Sequence, residues 1–472
     1  MASAPKSGVA KIFRNRAPGL KLLLISGLIL LMGIPALFVY LIVYDRSERA
    51  DETRREIAAA AGGEQSVIGP VLAIPVQTRS DKHDWEVTDT LIVFADTGSA
   101  SAKLDVSTRK KSLYAVQVYQ GKISFKAHFS LGALARIGDD RTRLVLTKAK
   151  IMIGISDSRG ALGDAWLETA GQKPRLFEPY IGDFSLYETK VRVRSNSMNS
   201  LNFAKLGQNR GNILSAPAGD LLNTGTLDIK ARLPLGGARR FAFLPFARST
   251  SMKIAANWPN PGFDGDFLPT QKTITDTGFS ASRTIPSLAS AIPAMAFDSD
   301  LSGWNDNRRG MEVKLVEKSS PYQYVSRSLK YALMFIGFVF LTFFLFEILD
   351  DRPVHAAQYV LVGIAQTVFY LLLLAFSERI GFDGAFAIAA TATVGLIGAY
   401  AVAVFGKRRA LAAFAIFGIV YALMFVLMRL QDYALMVGSL ASFTAIAITM
   451  WMTRKIDWYG AAEKRFAPDK PA

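Results

Sequence analysis

The chain has 472 residues, half of them hydrophobic, and its 55 Lys and Arg against 39 Asp and Glu give a formal net charge of +16. It contains no cysteine, which excludes disulfides, thiolate metal sites and thiol nucleophiles. The hydrophobic residues cluster at the two ends, a pattern typical of a chain partly solvated by lipid. The cations flank these hydrophobic stretches and form no long basic run, so they indicate control of membrane topology rather than nucleic-acid binding.

The first hydrophobic stretch, residues 20–44, carries only Lys21 at its edge and is long enough to cross about 30 Å of hydrocarbon as a helix. A basic leader, residues 1–19, precedes it, which raises the alternative of a cleaved signal peptide. The stretch is too long for a signal peptide, and Val43 is not followed by a small-residue cleavage pattern. We therefore interpret it as an uncleaved signal anchor.

Five further hydrophobic stretches follow in the C-terminal part, separated by connections too short for a folded domain. They predict transmembrane helices at residues 331–348, 356–376, 385–405, 411–430 and 433–451. With the leader in the cytoplasm, the cytoplasmic connections carry Arg352, the run Lys407-Arg408-Arg409 and the tail beginning Arg454-Lys455, as the positive-inside rule expects. This predicts a multi-pass protein of the bacterial inner membrane with both termini cytoplasmic.

The sequence therefore predicts a membrane protein of α + β class, in which six transmembrane helices, one before and five after, flank a large periplasmic β-sandwich-like domain. The predicted segments are a leader at 1–19, a signal anchor at 20–44, a polar helical linker at 45–63, the periplasmic domain at 64–328, a five-helix bundle at 329–453 and a cytoplasmic tail at 454–472. Whether the domain is one sandwich or two subdomains stays open at this stage, as does the oligomeric state.

Within the predicted domain the hydrophobic period changes from helical to alternating. The linker carries an Asp51 and Arg55 pair at i, i+4, and the segment KISFKAHF alternates apolar and polar residues as a half-buried strand does. Further strands are predicted in TLIVFA, LYAVQVY, RLVLTKAKIMIGI, LDIKARL, RRFAFLPF and SMKIAAN. A series of strands without long intervening helices favours antiparallel sheets packed as a sandwich.

Motifs that carry chemistry are absent from the sequence. The histidines His83, His128 and His355 lack metal-ligand spacing, and there is neither a nucleophile elbow nor a phosphate-binding loop. The acidic stretch from Asp298 resembles a calcium loop, but its twelfth position is Arg309, whose charge would repel the ion. We prefer a turn-rich acidic loop there, and we expect no catalytic residue, metal or cofactor, hence no enzyme.

Polar residues are sparse in the predicted bundle, and no ionisable group lies near the membrane midplane, where a transport pathway would need one. Glu347 falls near the cytoplasmic end of its span, a position that can reach headgroups or water. Polar groups within such spans usually hold helices together by hydrogen bonds, which we favour over a substrate path. The candidate binding residues of the bundle are Glu347, Gln358, Gln366, Tyr370 and Tyr400.

Long segments of the chain resemble the CreD family of bacterial inner-membrane proteins, also called cell envelope integrity proteins. The resemblance lies in YQYVSRSLKYALMFIGFVFLTFFLFEIL, HAAQYVLVGIAQTVFYLLLLAFSERIGF and DYALMVGSLASFTAIAITMWMTRKIDWYG. It extends to EQSVIGPVLAIPV from Glu64, similar to the family's Gln-x-x-x-Gly-Pro segment, and to NWPNPGFDGDFLP from Asn257. These two segments supply the candidate binding residues of the domain, namely Gln65, Gly69, Pro70, Trp258, Phe263 and Gly265. Arg283 departs from the family, which is expected to carry tryptophan there.

The resemblance implies an envelope protein of Gram-negative type, with altered tolerance to colicins or cell-wall stress and no established catalytic residue. We expect a non-enzymatic envelope-maintenance protein whose domain binds a periplasmic protein, lipid or glycan while the bundle sits in the lipid bilayer. A membrane chaperone or insertase with the layout of the YidC insertase is the alternative, resting on architecture alone. A transporter is disfavoured because the spans lack midplane charges.

Overall fold

The computed structural model describes residues 18–79, 85–138, 141–180, 212–222, 225–301, 310–316, 321–350, 354–430 and 433–455. Most of the predicted leader and tail, together with Arg352, lies outside the described residues. The chain forms two compact units. We call Met1–Ala50 with Lys318–Ala472 the membrane unit, and Asp51–Glu317 the β domain.

Among the described residues, six helical segments are long and apolar enough to cross a membrane, which confirms the predicted number and order. The first segment consists of α1 and α2, and a short helix, α3, precedes the second. The helices are α1 Pro18–Leu31, α2 Gly33–Ala60, α3 Pro321–Lys330, α4 Ala332–Asp350, α5 Ala356–Ile380, α6 Phe382–Phe405, α7 Lys407–Arg429 and α8 Ala434–Thr453.

The first segment continues as α2 from the apolar stretch through the polar linker to Ala60, as expected for the predicted polar helical linker. It is interrupted only at Met32, close to Pro35, which has no backbone N–H to donate to the preceding turn. Asp51 pairs with Arg54 at i, i+3, 3.3 Å apart, and not with Arg55 as predicted. The helix ends before Gly62 and Gly63, which adopt positive φ angles of 94° and 66°.

Two of the connections in the membrane unit are a single glycine. Gly381 joins α5 to α6 and Gly406 joins α6 to α7. Both have positive φ angles, which glycine adopts readily because it has no Cβ to clash with the backbone. The predicted cytoplasmic loop Lys407-Arg408-Arg409 is therefore wrong as a loop, because these residues form the first turn of α7.

Aromatic and small residues hold the membrane unit together. Its buried cluster joins α1 to α4, α5, α6 and α7. A Cβ placed on Gly363 of α5 would lie 2.5 Å from Met32 Sδ, so the glycine permits close approach of the first segment. The larger buried side chains of the cluster are Met32, Phe340, Phe343, Phe344, Phe346, Tyr359, Phe405 and Phe417.

The β domain consists of two sheets, which we call sheet A and sheet B. Over the described residues sheet A has ten strands and sheet B eight. The strands are β1 Gln65–Arg79, β2 Trp85–Val93, β3 Ala95–Lys111, β4 Tyr114–Ser130, β5 Thr142–Leu144, β6 Lys150–Ile155, β7 Trp166–Thr169, β8 Arg175–Leu176, β9 Glu178–Pro179, β10 Ile213–Pro217, β11 Thr226–Ala238, β12 Arg240–Leu244, β13 Ala247–Ala256, β14 Pro261–Gly265, β15 Gln271–Thr275, β16 Gly278–Ile285, β17 Met295–Phe297 and β18 Met311–Leu315.

Both sheets are mixed, so the prediction of purely antiparallel sheets is wrong. Sheet A runs β14-β18-β12-β1-β6-β10-β9, with β2 and β5 also on β1 and β17 on β2, and β1 is parallel to β12. Sheet B runs β15-β16-β13-β3-β4-β11-β7-β8, and β3 is parallel to β13. The long chain path between each parallel pair is what a parallel crossover requires.

Several strand boundaries differ from the prediction. LYAVQVY and KISFKAHF form one strand, β4, because Gly121 between them continues the ladder opposite Leu104 and Leu235. RLVLTKAKIMIGI divides into β5 and β6 around a short 3₁₀ helix, Leu146–Lys148. Neither β1 nor β3 is among the predicted strands.

One hydrophobic cluster fills the space between the sheets, so the β domain is a single sandwich rather than two subdomains. Leu72 and Ile74 of sheet A belong to the same cluster as Phe125 and Ile229 of sheet B. At its centre Phe246 packs edge-to-face on Phe125, with ring centroids 5.5 Å apart.

Gly69→Ala should destabilise the β domain, because an added Cβ would lie 2.5 Å from the fully buried Phe246 ring. Overpacking of this kind costs about 1–3 kcal/mol. Thermal unfolding of the purified full chain, followed by far-ultraviolet circular dichroism, measures the change. Gly132→Ala is the control, since nothing lies within 4 Å of its Cβ position. Equal melting temperatures for the two variants would contradict the packing.

Candidate functional site

A buried carboxylate lies near the C-terminal end of α4 in the membrane unit. Glu347 is only 4% exposed and accepts three hydrogen bonds. Lys21 Nζ on α1 and the Val354 backbone N–H donate to Oε1, and the Tyr359 hydroxyl on α5 donates to Oε2 at 3.0 Å. Although its position in the span can reach headgroups or water, Glu347 is bonded within the protein instead.

The three donors satisfy an ionised carboxylate in a place where an unpaired charge would be costly. Each comes from a different part of the membrane unit, so Glu347 joins the first span, the second span and the start of the third. The rings of Phe340 and Phe343 pack on Tyr359, with centroids 5.4 Å and 6.2 Å away. We call Lys21, Glu347, Val354 and Tyr359 the carboxylate clamp.

The other predicted bundle residues lie apart from the clamp. Gln358 caps α5, because its side chain accepts the His355 N–H at 2.9 Å. Gln366 is buried and donates across to the Phe335 carbonyl of α4 at 3.4 Å. Tyr370 is buried with its hydroxyl 3.9 Å from Met424 Sδ, and Tyr400 is half-buried against the apolar cluster.

The amide oxygen of Gln366 differs from its amide nitrogen. Gln366 Oε1 is buried and has no hydrogen-bond partner among the described residues. The Gln366 side chain thus connects α5 to α4 through its Nε2 alone. The arrangement is that of an interhelical packing contact.

In the β domain, Gln65 connects the end of α2 to the sandwich. Its side chain is fully buried, and Nε2 donates to the Gly62 carbonyl at 2.6 Å and to the Asp157 carbonyl at 2.8 Å. Oε1 accepts the Ser156 hydroxyl at 3.1 Å. All hydrogen-bonding groups of this amide are thus occupied by the protein itself.

Gly69 and Pro70 are buried in the centre of β1. Gly69 provides room for the Phe246 ring. Pro70 lies where the register of β1 against β6 shifts, between Ile68 and Val71. A proline in an interior strand is tolerated at such an irregularity because no ladder hydrogen bond is required there.

The segment NWPNPGFDGDFLP, which starts at Asn257, lies at the edge of sheet A, where it contributes the edge strand β14. Trp258 is half-buried, and its Nε1 donates to the carbonyls of Asn260 and Val316. Phe263 packs edge-to-face on Phe279, with centroids 5.8 Å apart. Gly265 has a φ of 98°, and a Cβ there would lie 2.1 Å from the Gly310 carbonyl oxygen.

The outer face of sheet A, turned away from the sandwich interior, carries its own apolar cluster. Val71 and Ala73 of β1 belong to it, whereas the alternate residues Leu72 and Ile74 belong to the main core. Beside this cluster is a cavity of about 340 Å³, which we call the sheet A cavity. It is lined by Ala73, Pro75, Thr90, Thr147, Lys148, Ala149, Lys150, Met152, Tyr180 and Pro217.

Two lysines give the sheet A cavity its charge. Lys148 is exposed, and Lys150 Nζ lies 5.1 Å from the centroid of the Tyr180 ring. None of the lining residues was among the predicted site residues. The sequence signal for them was weak, because Lys148 and Lys150 fall in RLVLTKAKIMIGI, which was interpreted only as a strand.

The stretch compared with a calcium loop is only partly described, and residues 302–309 lie outside the described residues, as does His83. Asp298–Leu301 is a short helix. Burial raises the pKa of the Asp298 carboxyl, and the nearby charge of Asp89 raises it further. Ser299 Oγ donates to Asp89 at 2.7 Å.

Residues 17–459 match the family model described as inner membrane protein CreD. The chain belongs to the CreD family. The inner membrane protein CreD of Escherichia coli K12 is 28% identical to it over 458 residues, which cover 93% of each chain. Membership in the CreD family identifies the protein as a multi-pass inner-membrane protein, in accordance with its six apolar helical segments.

Lys21→Met should destabilise the membrane unit, because it leaves Glu347 buried without its cationic partner. Removing one partner of a fully buried pair costs about 3–5 kcal/mol, and because Lys21 is 30% exposed we expect a smaller loss, about 1–3 kcal/mol. Thermal unfolding of the detergent-purified full chain measures the loss. The double variant Lys21→Met/Glu347→Leu should recover much of it, because the uncompensated charge is gone.

The control for this experiment is Arg429→Met, which removes an exposed ion pair with Asp383 in the same unit. Exposed pairs contribute about 0–1 kcal/mol. If Lys21→Met melted at the same temperature as Arg429→Met, the carboxylate clamp would have no stabilising role.

Asp298→Asn should stabilise the β domain at pH 7 and leave it unchanged near pH 3. A carboxyl whose pKa is raised on folding favours the unfolded state once it ionises, so wild type loses stability as pH rises through that pKa. Melting temperatures at the two pH values test this, with Asp300→Asn of the same helix as the control. A lower melting temperature for Asp298→Asn at pH 7 would contradict it.

Proposed function

We propose that the protein is a non-enzymatic component of cell envelope maintenance, in which the membrane unit is an anchor and the β domain is a binding module on the periplasmic side. It would contribute to tolerance of envelope stress or colicins. Membership in the CreD family and the six apolar helical segments support an envelope role at the inner membrane.

The proposed topology has both termini in the cytoplasm. It rests on the cations at the proposed cytoplasmic ends of the helices, namely Lys407, Arg408 and Arg409 at the start of α7 and Arg454 after α8. With an odd number of spans before it, the β domain then lies in the periplasm.

The observation that carries the proposed binding role is the sheet A cavity. It combines an apolar floor, supplied by Ala73 and Met152, with the cations Lys148 and Lys150. A concave site with mostly apolar walls and a few polar groups is the usual form of a ligand site. Its chemistry favours an envelope component that presents a negative charge beside an apolar part.

The carboxylate clamp supports an anchoring role for the membrane unit. Both carboxylate oxygens of Glu347 accept hydrogen bonds, from Lys21, Val354 and Tyr359. The carboxylate is therefore not free to bind a solute or a polypeptide that passes through the membrane unit. An insertase groove or an ion-coupled pathway would need an ionisable group facing water. Among the described residues of the spans, we find no observation that favours either alternative.

In-cell photocrosslinking tests the proposed binding role. A photoreactive amino acid at Thr90, in the wall of the sheet A cavity, should give one discrete crosslinked species in the envelope fraction. The same probe at Lys126, an exposed residue of β4 in sheet B, is the matched control. We expect crosslinking from Thr90 to fall when Lys148 and Lys150 are both changed to Gln.

The proposal fails if Thr90 and Lys126 give the same products, or if the double lysine variant crosslinks as wild type does. Crosslinks to nascent membrane proteins would favour the insertase alternative instead. A reagent that labels periplasmic but not cytoplasmic amines should also modify Lys126 in intact cells, and protection of Lys126 would contradict the proposed topology.

A further inference from the structure

A second cavity lies within the membrane unit, between α2 and the short helix α3. It has a volume of about 270 Å³, and we call it the α2–α3 cavity. Its α2 wall is formed by Tyr40, Val43, Tyr44 and Ser47, and its α3 wall by Tyr322, Gln323, Ser326, Arg327 and Lys330. It lies at the opposite end of the spans from the carboxylate clamp, because Tyr322 bonds Glu378 near the end of α5.

The two cations of this cavity have no carboxylate partner within the described part of the chain. Arg327 Nη1 is buried and has no hydrogen-bond partner there, and no described ion pair includes Lys330. Two nearby arginines do have carboxylate partners, since Arg46 lies 3.0 Å from Glu378 and Arg49 lies 3.1 Å from Asp45. Because Arg327 and Lys330 both line the cavity, an anion there would gain charge-assisted hydrogen bonds from cations that no described carboxylate occupies.

The carboxylates near the cavity are already held by other groups. Tyr44 donates its hydroxyl to Glu48 at 2.9 Å, and Tyr322 donates to Glu378 at 2.9 Å. Neither carboxylate lines the cavity. The lining therefore offers an anion two cations, the hydroxyls of Ser47 and Ser326 and the amide of Gln323.

The aromatic side of the cavity continues onto a lipid-facing surface. Tyr40 and Tyr44 lie one helical turn apart on α2 and are both exposed at their edges, and the same helix exposes Leu37, Phe38 and Leu41. Tyrosines of this kind are typical of the interface between hydrocarbon and headgroups. A ligand in the cavity can thus extend an apolar chain along α2, which a free inorganic anion cannot do.

We propose that the α2–α3 cavity binds the phosphate headgroup of an anionic membrane lipid. Arg327 and Lys330 bind the phosphate, Ser326 and Gln323 donate hydrogen bonds, and Tyr40 and Tyr44 pack along the glycerol and the first acyl carbons. With the proposed topology the site lies in the outer leaflet of the inner membrane. Cations are disfavoured on that side by the positive-inside rule, so orientation of the helices does not account for Arg327 and Lys330.

Native mass spectrometry of the detergent-purified full chain tests this proposal. Titration with phosphatidylglycerol should give one retained lipid per chain, and phosphatidylcholine, whose phosphate is neutralised within its own headgroup, should bind at least roughly tenfold more weakly. Arg327→Gln should lower the affinity for phosphatidylglycerol roughly tenfold, as expected for the loss of a charge-assisted hydrogen bond. Arg327→Lys should retain part of it, because the charge remains.

Arg379→Gln is the matched control, since Arg379 is an exposed cation at the end of α5 outside the cavity, and it should bind the lipid as wild type does. Thermal unfolding identifies any variant that fails to fold, and Lys330→Gln then provides the second measurement. Equal binding of the two lipids, or unchanged affinity in both Arg327→Gln and Lys330→Gln, would overturn the proposal. Displacement of the lipid by an equal concentration of inorganic phosphate would overturn the lipid assignment.

Discussion

The ion pair between Lys21 and Glu347 is the contact on which the membrane unit depends. The β domain is inserted in the sequence after the first span, so that span is held to the five C-terminal spans by non-covalent contacts alone. Helices in lipid gain no hydrophobic driving force from one another, so close packing and polar contacts must hold them. The clamp supplies the polar contact at one end, and Arg46 with Glu378 supplies another at the opposite end.

In the β domain the equivalent constraint is the burial of β1 on both faces. It is hydrogen-bonded to four other strands of sheet A, and its two faces belong to the main core and to the outer apolar cluster. Gln65 at its start fixes the end of α2 through hydrogen bonds to the Gly62 and Asp157 carbonyls. The segment EQSVIGPVLAIPV, which resembles the CreD family, thus forms most of the central strand of sheet A. Two of its residues, Ala73 and Pro75, also line the sheet A cavity.

The sequence allowed prediction of the features that depend on local pattern. Hydropathy identified all six spans, and alternation identified β11. Alternation could not identify β1, because a strand that is buried on both faces is continuously apolar and shows no alternation. In addition, Pro70 and Pro75 argue against a strand. The burial of Glu347 was not predictable from its neighbours in the chain, since its partner Lys21 is 326 residues away. Both cavities likewise combine residues from elements that are distant in sequence.

Disulfide trapping can show whether the first span packs on the bundle, because the chain has no cysteine of its own. Met32 Sδ lies 2.5 Å from the Cβ position of Gly363, so Met32→Cys with Gly363→Cys should form a disulfide in the membrane under mild oxidation. After proteolytic cleavage within the β domain, the N-terminal fragment should then remain joined to the C-terminal one. Separate fragments, as expected for Met32→Cys with Gly395→Cys, would contradict the packing of span one on the bundle.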